Sequence, residues 1–230
     1  MFSQYNLNGL RLPNKTLCLT FDDCPGETIG AGRGPKTLKI AELLKENDIA
    51  ATFFMLGRHL VRYPNIAAEV AKLGHIIGNH AFCHHKNFVE LFNAQWDYFS
   101  EIELTDELIR TYNPSNNIYF RAPWGIFSPE LAIIMNQAIV NGLNHIGPFH
   151  WDIGGDDWSF WQSGLSADQC AQYLWNDIQT KNHGIVLIHD STADLLCAKR
   201  NNLAFEMLQI LIPRLKGEGY QFVNLDKVPI

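Results

Sequence analysis

The chain has 230 residues, of which 47% are hydrophobic and 18% charged, and its formal net charge is -6. This length and composition are typical of a globular protein with a large core, and the negative charge argues against a general nucleic-acid binder, which usually carries a basic face. The five cysteines are odd in number and contain no CxxC pair. We therefore expect at least one free thiol and no disulfide framework.

No run of about 18 apolar residues exists, so the sequence predicts no membrane span. The N-terminal segment MFSQYNLNGLRLPNK lacks the apolar centre of a signal peptide. Two interpretations stay open: the protein remains inside the cell, or a leader has been removed ahead of residue 1. Nothing in the sequence points to a protein partner.

Short apolar runs alternate with helical patterns along the chain. In chain order, the predicted strands are Thr16–Phe21, Ala51–Met55, His75–Gly78, Ile118–Phe120, His145–Phe149, Ile185–Ile188 and Gln221–Asn224. The predicted helices are Pro35–Asn47, Asn65–Leu73, about Asn93 to Tyr112, Ser128–Asn141, Ser166–Lys181 and about Asn202 to Lys216. Pro213 is expected to kink or end the last helix early. Two segments rich in turn residues, Gly26–Gly34 and Gly154–Gly164, are predicted loops.

This alternation has no break in composition, no internal repeat and no linker. It predicts one α/β domain with about seven parallel strands, in an open or a closed sheet. In such folds the loops that follow the strands carry the functional residues.

Asp22 and Asp23 stand where the first predicted strand ends. Neighbouring residues at a strand end need not point to opposite faces, so both acids can share one pocket. One carboxylate then has the option of binding a metal while the other takes a proton. The alternative is an Asp-rich turn or helix cap, and this pair alone does not decide between the two.

His80 and His84 have the i, i+4 spacing that places two side chains on one face of a helical turn, about 5–6 Å apart. Both imidazoles can then reach one ion at about 2.0–2.1 Å. Two histidines with Asp23 form a donor set that suits zinc or a related divalent ion and leaves positions for water and substrate. His85 is expected to face solvent or to support the ligands, and Cys83 is an alternative soft ligand.

Three further polar segments follow predicted strands. Arg121 lies at a strand end, where an arginine normally pairs with a carboxylate, here one of the two acids above. Residues 150–158 combine acids with tryptophans, a mixture suited to a sugar ring, although buried tryptophans that pin a loop are the alternative. His189 ends a fully apolar strand and is placed to donate a proton near neutral pH. All these segments are expected to meet at the C-terminal face of a barrel.

Five short motifs occur along the chain in this order: TFDD, the H-x-x-x-H after IGN, RAPWG, a DW pair and LIHD. As an ordered set, they resemble the polysaccharide deacetylases with a NodB-like domain, carbohydrate esterase family 4. The resemblance extends from about Leu17 to Leu225. It implies a distorted (β/α) barrel with fewer than eight strands in a single domain, residues 1–230, whose core covers about residues 16–225.

The resemblance also implies residue roles. Asp23, His80 and His84 match the ligands of one divalent metal ion, zinc or another ion such as cobalt. Asp22 matches the catalytic base, oriented by Arg121, and His189 matches the general acid, with Asp157 as its partner. The substrate-contacting residues implied are Pro123, Trp124, whose position supplies an oxyanion-binding N–H, and Trp158 and Leu187, which match walls of an acetyl pocket.

Some positions depart from the family pattern. Cys24 stands in place of the usual Gly, and Ala81 in place of the usual Ser or Thr. The family's two acids before Trp are normally three residues apart, but Gly154 stands three residues before Asp157. Asp152 or Asp156 takes the missing role, or no residue does.

The sequence thus predicts a metal-dependent hydrolase that removes N-acetyl groups, or O-acetyl groups as on xylan, from a glycan such as chitin or peptidoglycan. Two alternatives from other classes stay open. One is a sugar-binding homologue that has lost its chemistry, and the other is a C–N hydrolase acting on a small cyclic amide.

Overall fold

A computed structural model describes residues 1–26, 36–85, 98–139, 141–190 and 200–230. The strands in these residues are β1 Phe2–Leu7, β2 Thr16–Cys24, β3 Thr52–Met55, β4 Ile76–Asn79, β5 Asn117–Tyr119, β6 Asn144–Phe149, β7 Ile153–Gly154, β8 Gly184–His189 and β9 Gln221–Phe222. Every pair of neighbouring strands is parallel, as expected for alternating strands and helices.

The strands lie side by side in the order β7-β8-β2-β3-β4 and then β5-β6-β1, and β9 pairs with the start of β2. One parallel bridge, between Asn79 and Phe120, joins the two groups. Among the described residues, β1 and β7 form no ladder with each other. The strands therefore build a distorted and incompletely closed (β/α) barrel, which confirms the fold class predicted from the sequence.

The helices in the described residues are α1 Lys36–Glu46, α2 Gly57–Arg62, α3 Ile66–Lys72, α4 Tyr98–Ile109, α5 Pro129–Ala138, α6 Asp157–Gln162, α7 Ala167–Lys181 and α8 Ala204–Gly217. Two helices begin directly after the serines at which the sequence predicted their starts. Ser128 accepts a hydrogen bond from the backbone N–H of Leu131, and Ser166 forms a reciprocal capping box with Gln169.

The end of α5 and the effect of a proline in α8 differ from the prediction. α5 ends at Ala138 rather than Asn141, because Ile139 already has an extended backbone. α8 continues through Pro213 to Gly217, so the prediction that this proline ends the helix early is wrong. Pro213 lies on the solvent face, where water can bond the carbonyl that loses its partner, and buried neighbours such as Leu211 and Leu215 hold the helix against the core.

All seven predicted strands are present, and within the described residues two strands, β1 and β7, and two α-helices, α2 and α6, are additional. The last of these, Asp157–Gln162, lies inside the segment predicted as a loop. β1 is exposed along most of its length, so it lacks the apolar run that reveals a buried strand. The start of the helix predicted from about Asn93 and most of the Gly26–Gly34 loop lie outside the described residues.

Alternation along β2 separates an outer core from the barrel interior. Leu17, Leu19 and Phe21 pack in the cluster beneath the helices, whereas Cys18 packs with the interior cluster of Phe54, Phe149 and Ile185. With this period of two, the side chain of Asp22 lies on the same side as that of Cys18, facing the interior at the C-terminal end of the strand.

Four cysteines, Cys18, Cys24, Cys83 and Cys170, are described, and all are free thiols. In the described ranges, no helix is long and apolar enough to cross a membrane.

Candidate active site

The residues singled out from the sequence converge at the C-terminal rim of the barrel. β2 ends in Asp22 and Asp23, and β4 leads into His80. Arg121 follows β5, and β8 ends in His189. Asp22 and His189 are direct neighbours in the β2–β8 ladder, so the arrangement arises from strand register.

Asp22 forms an ion pair with Arg121, whose Nη1 lies 2.8 Å from Asp22 Oδ1. The guanidinium is fully buried. It also donates to Thr20 Oγ1 at 2.8 Å and to the backbone carbonyl oxygens of Phe149 and His150, each at 3.2 Å. These bonds fix the Asp22 carboxylate by connecting β2, β5 and β6, as the strand-end arginine predicts.

Asp23 has a left-handed backbone, with φ of 63°. This conformation departs from the strand alternation, which explains how two adjacent carboxylates reach one pocket. The ring of His59, on α2, donates from Nδ1 to the backbone carbonyl of Asp23 at 3.0 Å, and its side chain is buried. This hydrogen bond from a buried side chain therefore stabilises the unusual backbone conformation of Asp23.

The side chains of His80 and His84 lie close to Asp23, but the prediction of a helical turn from their spacing is wrong. The residues from His80 to His84 form an irregular segment after β4, in which Ala81 has φ of 63°. Nε2 of His84 lies 3.4 Å and Nε2 of His80 lies 3.7 Å from Asp23 Oδ1. Local backbone conformation, rather than helix period, brings these atoms together.

These three side chains suit a divalent metal ion. Atoms bound at about 2.0–2.1 Å to one tetrahedral ion lie about 3.3–3.4 Å apart, close to the separations found here. His80 Nδ1 lies 2.8 Å from the carbonyl oxygen of Arg121, so Nδ1 carries the proton and Nε2 keeps its lone pair. Burial lowers the pKa of His80, despite the opposing charges of Asp22 and Asp23, which keeps the ring neutral at pH 7. The three residues thus form a group able to hold an ion.

His189 is held by Asp157. The two oxygens of Asp157 accept from His189 Nδ1 at 2.7 Å and from the His189 backbone N–H at 2.8 Å. Burial on its own would lower the pKa of His189, but the charge and hydrogen bond of Asp157, assisted by Asp23 and Asp22, outweigh it and raise the pKa to about 10. The ring is therefore protonated at neutral pH, and Nε2 is its available donor.

The other two acids of this segment have different positions. Asp152 Oδ2 accepts from the backbone N–H groups of Gly9 and Ile185, each at 2.8 Å, so this side chain ties the end of β1 to β8. Asp156 is exposed and precedes α6, with no side-chain cap bond. Of the three acids, Asp157 is the one that hydrogen-bonds to His189.

The predicted substrate-contacting residues occupy two areas. Pro123 and Trp124 lie in a 3-10 turn, where Trp124 has φ of 62° and its ring centroid is 4.9 Å from that of His84. Leu187 lines a cavity of about 250 Å³ together with Asp157. The residues that line this cavity do not include Trp158, which lies exposed on α6.

Sequence reasoning missed three supporting residues. Thr20 bonds Arg121, and His59 bonds the backbone of Asp23. Asp190 is buried and accepts from the hydroxyl of Thr37 and the backbone N–H of Gly26, and burial raises its pKa to about 6. Thr20 and Asp190 stand inside the motifs TFDD and LIHD, whereas His59 belongs to no motif and has no sequence signal.

Comparisons with known proteins show what the whole chain is similar to. A family model described as polysaccharide deacetylase matches residues 10–142. A Bacillus cereus protein named peptidoglycan-N-acetylglucosamine deacetylase is 30% identical over 212 residues, which cover 92% of this chain and 67% of that protein.

Two solved structures resemble the fold. One is a peptidoglycan N-acetylglucosamine deacetylase in complex with 4-naphthalen-1-yl-N-oxidanyl-benzamide. It is 25% identical with a TM-score of 0.71, and the match covers 98% of this chain and 92% of that one. The other, from Bacillus anthracis, is described as a CE4 family pseudoenzyme. It is 22% identical with a TM-score of 0.69, and the match covers 98% of this chain and 69% of that one.

Proposed function

This chain belongs to the polysaccharide deacetylase family, and from that premise we propose that it is a metal-dependent hydrolase that removes N-acetyl groups from a glycan such as peptidoglycan or chitin. Release of O-acetyl groups is the second activity that the same residues allow. The domain proposed for this activity is residues 1–230, with its core at about residues 16–225.

Asp23, His80 and His84 are the proposed ligands of one divalent ion, with zinc favoured by the two imidazoles and one carboxylate, and cobalt as a substitute. Such an ion, when bound, supplies a Lewis acid that polarises the acetyl carbonyl and lowers the pKa of water.

The chain's own residues supply proton transfer and positioning. Asp22, held by Arg121, takes the proton of the attacking water as general base. The backbone N–H of Trp124 donates to the developing oxyanion. His189, kept protonated by Asp157, donates a proton from Nε2 to the leaving nitrogen, which is too poor a leaving group as an amide anion. Pro123, Trp158 and Leu187 are proposed to contact the substrate.

One observation carries this proposal: the Asp22–His189 neighbour pair in the β2–β8 ladder lies beside the Asp23–His80–His84 group. A base, an acid and a cation-binding group at one rim match the needs of acyl hydrolysis better than those of sugar binding alone.

The test measures acetate release by zinc-loaded protein from chitin oligosaccharides, peptidoglycan fragments and acetylated xylan, and, in a separate assay, ring opening of a small cyclic amide. We expect acetate from at least one N-acetylated glycan, and loss of this activity after chelation. Binding of the glycans without release would instead identify a sugar-binding homologue. Cleavage of the cyclic amide alone would identify the other alternative, a C–N hydrolase.

Asp157→Asn is expected to move the alkaline limb of the kcat/KM profile to lower pH. Without the charge of Asp157, burial dominates and the pKa of His189 falls. The histidine is then deprotonated over a wider range above its new pKa. Activity loss should grow with pH towards the contribution of a general acid, about 10²–10⁴-fold.

Asp156→Asn is the matched control, because it changes the adjacent and exposed acid. Its pH profile should overlay that of the unmodified protein. If the alkaline limb of Asp157→Asn also stays in place, another group sets the protonation of His189.

A further inference from the structure

We propose that Cys83, His85 and Glu101 form a second divalent-cation site, separate from the Asp23–His80–His84 group. The candidate ligand atoms are Cys83 Sγ, a ring nitrogen of His85 and a carboxylate oxygen of Glu101, all within 4.8 Å of one another. This inference stands independently of the proposed function, because it uses none of the residues assigned to catalysis.

One chain segment serves both groups. Residues Cys83–His85 have neither helical nor strand structure. The ring of His84 reaches Asp23, whereas the side chains before and after it reach Glu101. The side chains of Cys83 and His85 therefore lie on the Glu101 side of the segment, and that of His84 lies on the Asp23 side.

Glu101 supplies a fixed carboxylate. It is 4% exposed and lies in the first turn of α4. Its Oε2 accepts the backbone N–H of Cys83 at 3.0 Å, which orients the carboxylate and places Oε1 3.4 Å from Nε2 of His85. The backbone of the segment is therefore anchored to the same group that offers the ligand oxygen.

The separation of His85 from Glu101 distinguishes a ligand arrangement from an ordinary ion pair. Elsewhere in this chain, His145 lies 2.8 Å from Asp106 and His189 lies 2.7 Å from Asp157, as expected for hydrogen bonds to carboxylates. The His85–Glu101 distance of 3.4 Å equals the His84–Asp23 distance in the first group. It matches the spacing of two ligands around a common ion of about 2.0–2.1 Å bond length.

The donor types indicate the class of ion. A thiolate, an imidazole and a carboxylate together favour zinc and chemically similar ions over magnesium or calcium, which prefer oxygen donors alone. The side chain of His85 is 39% exposed, so an ion can enter from solvent. A bound ion would link the segment that carries His84 to α4. The link would run through Cys83 and His85, whose side chains lie on the opposite side of the backbone from that of His84.

Cobalt loading of the full chain tests the site. We expect about two equivalents of cobalt by metal analysis, together with thiolate-to-cobalt charge-transfer absorption. Cys83→Ser should lose that absorption and one equivalent. Glu101→Gln, which keeps an oxygen to accept from the Cys83 N–H, should also lose one equivalent. Glu107→Gln changes an exposed acid on the same helix and should bind as the unmodified protein does.

His80→Ala separates the two groups, since it should lose one equivalent and keep the charge-transfer absorption. The proposal is overturned if the unmodified chain binds one equivalent without that absorption. It is equally overturned if the absorption survives in Cys83→Ser, or if His80→Ala abolishes it.

Discussion

We expect His80→Ala to lose the catalytic metal and, with it, all measurable acetate release. His80 is 1% exposed, and its Nδ1 bond to the Arg121 carbonyl aims Nε2 at the Asp23–His84 pair. Changes to groups that only orient a ligand cost about 10–100-fold in metal affinity, so removal of the ligand itself should cost more. Equilibrium dialysis against zinc, followed by metal analysis and an acetate assay, measures both effects.

His183→Ala is the matched control, because this histidine lies at the opposite end of β8, with Nε2 beside the carbonyl oxygen of Leu10. It should keep both metal and activity. If His80→Ala binds as many equivalents of zinc, and as tightly, as the unmodified protein, the proposed ligand set is wrong.

We expect Asp22→Asn to lower turnover by about 10²–10⁴-fold while the catalytic metal is retained. The amide cannot accept a proton, but its oxygen can still accept from Arg121, and Asp23, His80 and His84 are unchanged. The measurement combines kcat at saturating substrate with zinc content of the same sample. Near-normal turnover in a folded and metal-loaded Asp22→Asn protein would remove the general-base assignment.

A stability measurement must accompany this variant. Breaking one side of a buried ion pair costs up to about 3–5 kcal/mol, and Arg121 is fully buried. The guanidinium keeps its hydrogen bonds to Thr20, Phe149 and His150, so the variant should still fold. Asp226→Asn, at an exposed acid, should affect neither the thermal unfolding midpoint nor turnover.

The ordered motifs predicted which residues meet at the rim, because the C-terminal ends of parallel strands necessarily lie at one face of a barrel. Strand register could be read only from the structure: the pairing of Asp22 with His189 depends on how β2 and β8 align. The pairing of Arg121 with one of the two acids followed from chemistry, since a strand-end arginine close to two acids has few other partners, and the resemblance implied that this acid is Asp22.

Local backbone conformation was the part that sequence reasoning could not supply. The i, i+4 spacing of His80 and His84 suggested a helical turn, yet the segment is irregular. Asp23 and Ala81 adopt left-handed conformations, which an alanine rarely takes and an aspartate takes only occasionally. Tertiary contacts, such as the bond from His59 to the Asp23 carbonyl, hold conformations of this kind, and no short-range pattern records them.

The acidic segment shows the same limit. The resemblance implied Asp157 as the partner of His189 and left the roles of Asp152 and Asp156 open, and each of the three acids has a different environment. Asp152 bonds the backbone N–H groups of Gly9, after β1, and of Ile185, on β8; Asp156 is exposed, and Asp157 bonds the histidine. The deciding factor is the short helix α6, which starts at Asp157 within a stretch whose glycines and aspartates predicted only a loop.

The neighbouring positions of β2 and β8 also bear on the order of folding. The hydroxyl of Thr20 bonds the carbonyl of Val186 across 166 residues of sequence, so a chain leaving the ribosome exposes Asp22 long before His189. Pairing at such a separation must overcome loop-closure entropy before it stabilises either strand. Until then β2, buried along its whole length in the finished barrel, has one open edge. Unpaired apolar edges promote aggregation, so the strand that carries Asp22 is also the one that a nascent chain most needs to shield.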